Sequence, residues 1–196
     1  MNFKSWLLQQ ESPMIPEHVV KVHVKNVKQQ KDHTCGVAAL RSILLYYGIK
    51  KTESEIAKLA GTTEDGTDTE ALVRVARLYK LKTKVKHNMD LHELKEWLDK
   101  KRAVVVCMQA RGDEKEQKKL ELGHYMIAIG YDEKHIYFED PYQVKGYRGR
   151  IPTKEFMKRW KDATTEGVIR FRWGLAVWKD DKAPIFPTKI NKAKKV

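Results

Sequence analysis

The chain has 196 residues, 41% of them apolar, enough for one domain with a substantial core. No run approaches the roughly 18 apolar residues of a membrane helix. Met1 to Gln10 is too briefly apolar for a signal peptide and lacks a small-residue cleavage site, so a cytoplasmic protein that does not span a membrane is expected. Lys and Arg (39) exceed Asp and Glu (26), for a net charge of +13. That charge is spread along the chain without interleaved aromatics, which argues against nucleic acid as the main partner. The two cysteines are too few for a disulfide framework, and no second pair of ligands stands at zinc-like spacing, so no metal is expected.

Residues 1–19, with Pro13 and Pro16, read as an arm leading into a domain over 20–178. Val20 to Lys25 alternates apolar and polar residues and predicts a short half-buried strand. Val37, Leu40, Leu44 and Tyr47 fall at helical spacing and predict a helix from Cys35 to Tyr47, capped by Thr34 or Asp32 and stopped by Gly48. Thr52 to Glu55 is a capping box opening a helix through Ala60 that ends at Gly61. Thr67 to Glu70 predicts a second box and a helix through about Tyr79. Asp90 with Glu93 predicts a third, through Trp97 and Leu98.

The second half changes character. Ala103 to Met108 is an apolar run suited to a buried strand, and Arg111 to Glu121 is a charged excursion read as an exposed loop. Gly123 to Tyr131 and His135 to Glu139 read as strands joined by a turn at Asp132-Glu133-Lys134. Pro152 to Trp160 reads as a short helix, Val168 to Trp178 as strand, and 179–196 as a basic tail. Helices first and an antiparallel sheet later indicate an α+β fold.

The chemistry centres on Cys35, where a polar loop gives way to a helix. The helix N-terminus offers partial positive charge and unpaired N–H groups, which favour thiolate. Gly36 leaves room for a substrate carbonyl, and Gln29, six residues upstream, can lend an amide donor to an oxyanion. Cys107, inside an apolar strand, has no such setting. A cysteine nucleophile needs a base, and the base an orienting group. His124 opens one strand of the predicted hairpin and Asp140 follows the other, so the turn brings them together although they lie 16 residues apart. Each residue also has a structural reading: a core cysteine, a strand-end histidine, an aspartate starting a turn before Pro141, a loop amide.

These residues resemble the C39 peptidases, papain-like cysteine proteases that cleave double-glycine leader peptides. The resemblance covers about residues 20–178. It runs through Gln29, Thr34-Cys35-Gly36, Tyr46-Tyr47-Gly48, Asp65-Gly66-Thr67, Gly123-His124-Tyr125 and Asp140-Pro141. It implies a papain-like fold with the active-site helix on an antiparallel sheet. It implies a catalytic triad of Cys35, His124 and Asp140, with Gln29 donating to the oxyanion, and neither cofactor nor metal. The expected partners are a peptide or protein substrate and a separate ABC transporter, and the basic surface suits an acidic leader. Two other readings stay open on the same residues. One is an acyltransferase or transpeptidase, in which an amine replaces water. The other is a module that binds leader peptides without cutting them.

Overall fold

The computed structural model describes residues 17–110, 115–116, 119–120, 123–142, 148–164 and 167–179. The arm before Glu17, the tail from Asp180 and most of the 111–121 excursion therefore lie outside the described residues. The helices come first: α1 (Cys35–Tyr46), α2 (Glu53–Ala60) and α3 (Thr69–Leu78), then β1 (Lys82–Lys86) and α4 (Leu91–Asp99). After them come β2 (Ala103–Gln109), β3 (Gly123–Tyr131), β4 (His135–Glu139), β5 (Arg148–Pro152) and α5 (Thr153–Arg159). The described chain closes with β6 (Lys161–Ala163), β7 (Ile169–Phe171) and β8 (Gly174–Trp178). Six strands form an antiparallel sheet in the order β1-β8-β2-β3-β4-β5, and β6 pairs with β7 in a separate ribbon.

The sheet is covered on both faces. Tyr125 of β3 packs its ring beneath Gly36 of α1, while Phe138 of β4 meets Phe156 of α5 with ring centroids 5.3 Å apart. Phe138 lies opposite Ala128, an odd number of residues from Tyr125, so α1 and α5 sit on opposite faces. Central β2 is accordingly buried at every position, which explains its unbroken apolar run.

Two predicted capping boxes form, at Thr52 with Glu55 and at Asp90 with Glu93, and Gly61 ends α2 in the left-handed conformation. The box predicted at Thr67 to Glu70 does not form. Asp68 is the residue that precedes α3, and Thr67 instead shares a hydrogen bond with Thr62 at 2.9 Å. Val168 to Trp178 is not one strand: it splits into β7 and β8, which belong to different sheets. Val20 to Lys25 makes no ladder either. Its alternation is real, with Val20, Val22 and Val24 buried, but only Val20 bridges the sheet, at Gly130, while the N–H groups of Lys21 and Val22 both donate to the Ile129 carbonyl.

That contact falls on an irregularity with consequences for the site. The β3–β4 register runs Tyr131↔Ile136 and Gly130↔Tyr137, then resumes at Ala128↔Phe138 and Ile127↔Glu139, so Ile129 is an extra residue on β3. A Cβ on Gly130 would lie 2.1 Å from the Val19 carbonyl oxygen, a backbone atom that cannot swing aside. Gly130→Ala is expected to destabilise the fold by about 1–3 kcal/mol, read as a fall of several degrees in melting temperature by calorimetry. An unchanged melting temperature would show that residues 19–22 are not seated on β3.

Candidate active site

Cys35 is the first residue of α1, and its side chain is partly exposed at the mouth of a cleft of about 940 Å³. The loop before it is held from below. Glu53 of α2, almost fully buried, accepts the Gln30 N–H at 2.8 Å and the Thr34 hydroxyl at 2.6 Å. Thr34 does not cap α1 with its side chain; its hydroxyl is held by Glu53 and by the Lys31 backbone, whose carbonyl lies at 2.9 Å. Gly36 serves packing rather than carbonyl access: a Cβ there would meet the Tyr125 ring at 2.9 Å, so its smallness lets α1 settle onto β3.

His124 and Asp140 are both buried and in contact, Nε2 to Oδ1 at 2.6 Å. The register explains why they meet. Continued past Ile127↔Glu139, it sets Asp140 opposite Met126, whose side chain shares a face with His124. Asp140 is fixed on its other sides: its Oδ1 accepts the Tyr142 N–H at 2.9 Å, and its backbone carbonyl accepts the Asn26 amide at 2.8 Å. With Nε2 facing Asp140, the other ring nitrogen of His124 is left for its hydrogen bond with Cys35.

Cys35 and His124 shift each other, and Asp140 acts on His124. Burial alone would raise the Cys35 thiol. The hydrogen bond and charge of His124, joined by the backbone N–H groups of Tyr125 and Gly36, outweigh it and bring Cys35 below its ordinary value of 9.0. Burial alone would lower the His124 imidazolium. The charge and hydrogen bond of Asp140, then the contact with Cys35, hold it instead up to about 10, against 6.5 for a free histidine. An imidazolium beside a thiolate is the stable state of such a pair. Cys107 is the opposite case. It is buried, its thiol donates to Asp162 at 3.0 Å, and burial together with that carboxylate pushes it well above 9.0.

Gln29 sits beside these groups through its backbone, whose N–H donates to the Pro141 carbonyl at 2.8 Å. Its side-chain amide, however, donates both hydrogens to its own loop, to the carbonyls of Lys31 at 2.8 Å and Asp32 at 2.9 Å. The structure thus brings Cys35, His124 and Asp140 together, while the Gln29 donors are turned inward. Glu53, which ties the loop before Cys35 to α2, gives no signal in the sequence of facing inward, since it is the first residue of a capped helix. Among the described residues, no three His, Cys, Asp or Glu side chains are gathered as a metal ion would require, and no helix is long and apolar enough to cross a membrane.

A helix led by a cysteine and docked on an antiparallel sheet that carries a histidine and an aspartate is the papain-like arrangement. The sequence pattern of the Peptidase_C39 like family matches residues 21–168, and the chain belongs to that family. An uncharacterized protein of Methanothermobacter thermautotrophicus is 33% identical over 116 residues, covering 59% of this chain and 70% of that protein. The transport/processing ATP-binding protein ComA of Streptococcus pneumoniae is 32% identical over 146 residues, covering 74% of this chain but 18% of ComA. Among solved structures, a double-glycine-motif protease from an AMS/PCAT transporter, in complex with the leader peptide, shares the fold with a TM-score of 0.59. It is 21% identical, with 81% of this chain and 93% of that one covered.

Two outcomes are expected. At pH 6, iodoacetamide should alkylate Cys35 at least about tenfold faster than Cys107 by mass spectrometry; equal rates would contradict the environments described above. Glu53→Ala removes the acceptor of the Gln30 N–H and one of the two acceptors of the Thr34 hydroxyl, and should lower stability by about 1–3 kcal/mol. Glu53→Gln keeps an acceptor oxygen and should be much milder in the same thermal melt.

Proposed function

We propose that the chain is a cysteine peptidase that hydrolyses a peptide bond through Cys35, His124 and Asp140. The observation that carries this reading is the position of His124, bonded to a carboxylate on one side and to a helix-terminal thiol on the other. In the reaction, the Cys35 thiolate attacks the scissile carbonyl. The negative charge that develops on oxygen is met by the Cys35 backbone N–H at the start of α1, and by Gln29 once its amide exchanges a loop carbonyl for the oxyanion. The His124 imidazolium gives its proton to the leaving amine. As a neutral base it then activates water, which hydrolyses the thioester and restores the pair. Asp140 holds the ring in orientation and stabilises its charge.

The substrate class we propose is a leader peptide cut at a double-glycine-type site in the cytoplasm, with an ABC transporter as partner. Its support is the kinship with ComA, a transport/processing protein, and the shared fold with a double-glycine-motif protease. This chain spans less than a fifth of ComA, so the transporter's own activities are not carried over with the domain.

The test is hydrolysis of double-glycine leader peptides by the wild type and by Cys35→Ala, which should have no turnover; retained turnover would refute the nucleophile. An added amine that appears in the product would mark acyl transfer instead of hydrolysis. The pH profile has a definite sign. Activity requires thiolate, so it should rise as Cys35 deprotonates, at pH values below the ordinary 9.0. It also requires imidazolium, so it should fall as pH climbs through about 10. Asp140→Asn removes the charge that holds His124 up. It should therefore move the falling limb to lower pH and reduce kcat/KM by roughly 10²-fold or more.

A further inference from the structure

Among the described residues, the lining of the cleft at Cys35 has a charge opposite to that of the chain. Six carboxylate residues line it: Asp32, Glu64, Asp65, Asp68, Glu70 and Asp162. Among the described lining residues the only Lys or Arg is Arg170, and it is already engaged: its Nη1 donates to the Thr69 hydroxyl at 2.5 Å and lies 3.8 Å from Asp68. The acidic wall is built, not incidental. Glu64 and Asp65 form the tip of a tight turn in which the Thr63 and Gly66 backbones exchange N–H···O bonds of 3.0 and 3.2 Å. The Asp65 N–H donates to the Thr63 hydroxyl at 3.2 Å. Both carboxylates are thus presented to solvent on a fixed loop. A second wall is apolar and unusually open: Val168, Ile169 and Phe171 are 61%, 49% and 52% exposed.

We infer, resting on the peptidase reading, that this cleft selects a cationic, amphiphilic peptide segment, with Lys or Arg side chains against Glu64, Asp65 and Glu70 and an apolar side chain on Val168, Ile169 and Phe171. Screening decides between the two signs of charge. At physiological ionic strength a charge is felt over about 8 Å, so the lysines scattered over the surface contribute little inside the cleft. A substrate held there meets the local carboxylates. The net charge of +13 would by itself favour an acidic leader; the lining of the cleft reverses that expectation. Opposite charge at the contact supplies discrimination as much as affinity, because an acidic segment would face like charge at close range.

The test uses two fluorogenic peptides with the same Gly-Gly core and the same apolar residue, differing only in flanking Lys or Glu. Wild type should cleave the Lys peptide with a kcat/KM about tenfold or more above the Glu peptide at low ionic strength, and the ratio should shrink as salt rises. The double substitution E64K/D65K, at the exposed turn tip, should abolish or invert the ratio; a melting temperature near that of wild type would show that the fold is kept. Equal cleavage of the two peptides, or a preference for Glu, would overturn the inference. Binding to Cys35→Ala, followed by fluorescence anisotropy, separates this claim from the reading it rests on. If neither peptide is cleaved by wild type but Cys35→Ala binds the Lys peptide about tenfold more tightly, the peptidase reading fails and the charge selection stands. If binding is also indifferent to charge, the selection is refuted.

Discussion

The site depends on a count of one residue. Side chains alternate along a strand, so a shift of one position moves every later residue to the other face. From the turn at Asp132 the hairpin starts in a register that would set Asp140 opposite Ile127, on the face away from His124. The extra residue at Ile129 changes that parity: Asp140 comes opposite Met126, and its carboxylate reaches the His124 ring. The bulge in turn is secured by residues 19–22, whose backbone lies over Gly130 and donates to the Ile129 carbonyl. The strand-like segment ahead of α1 therefore helps set the His124–Asp140 contact more than a hundred residues away.

Once the parity is set, electrostatics govern the rest. A buried carboxylate, imidazolium and thiolate would each be costly alone. Placed in a row, each offsets the desolvation of the next, and backbone N–H groups from Tyr125, Gly36 and Tyr142 satisfy the anions at either end. The neighbouring loops have a second role. Glu53 and the inward-facing amide of Gln29 both bind the backbone of residues 30–34, so the loop that delivers Cys35 is tied from two directions.

The sequence makes the helical half legible because helix ends are written locally. A Thr or Asp followed three residues later by Glu carries its own hydrogen-bonding logic, and it succeeded at α2 and α4, with Gly61 also ending α2. It failed at Thr67 because a hydroxyl chooses its nearest partner, and Thr62 was closer in space than in sequence. The His124–Asp140 pairing is readable from a turn between two strands, but the bulge that brings them together is not: nothing in Ile129-Gly130 announces an extra residue. Short β6 and lysine-rich β1 were not foreseen at all. Edge strands gain their partners from distant segments, so a local pattern such as Lys82 to Lys86 holds little apolar signal.

The two cysteines show how completely environment outranks residue type. Both line the same cleft, Cys107 opposite Tyr125 on the adjoining strand. Yet the charged group that acts on Cys35 is a cation held in place by Asp140, while Cys107 hydrogen-bonds a carboxylate. One thiol is driven toward the nucleophilic anion and the other away from it. Asp162 holds Cys107 as a thiol and is also one of the carboxylates that line the cleft. What opposes a thiolate at Cys35 is burial, and the hydrogen bond and charge of His124, itself held by Asp140, outweigh it. The contrast between the two thiols is thus set by the group beside each, a cation at Cys35 and a carboxylate at Cys107.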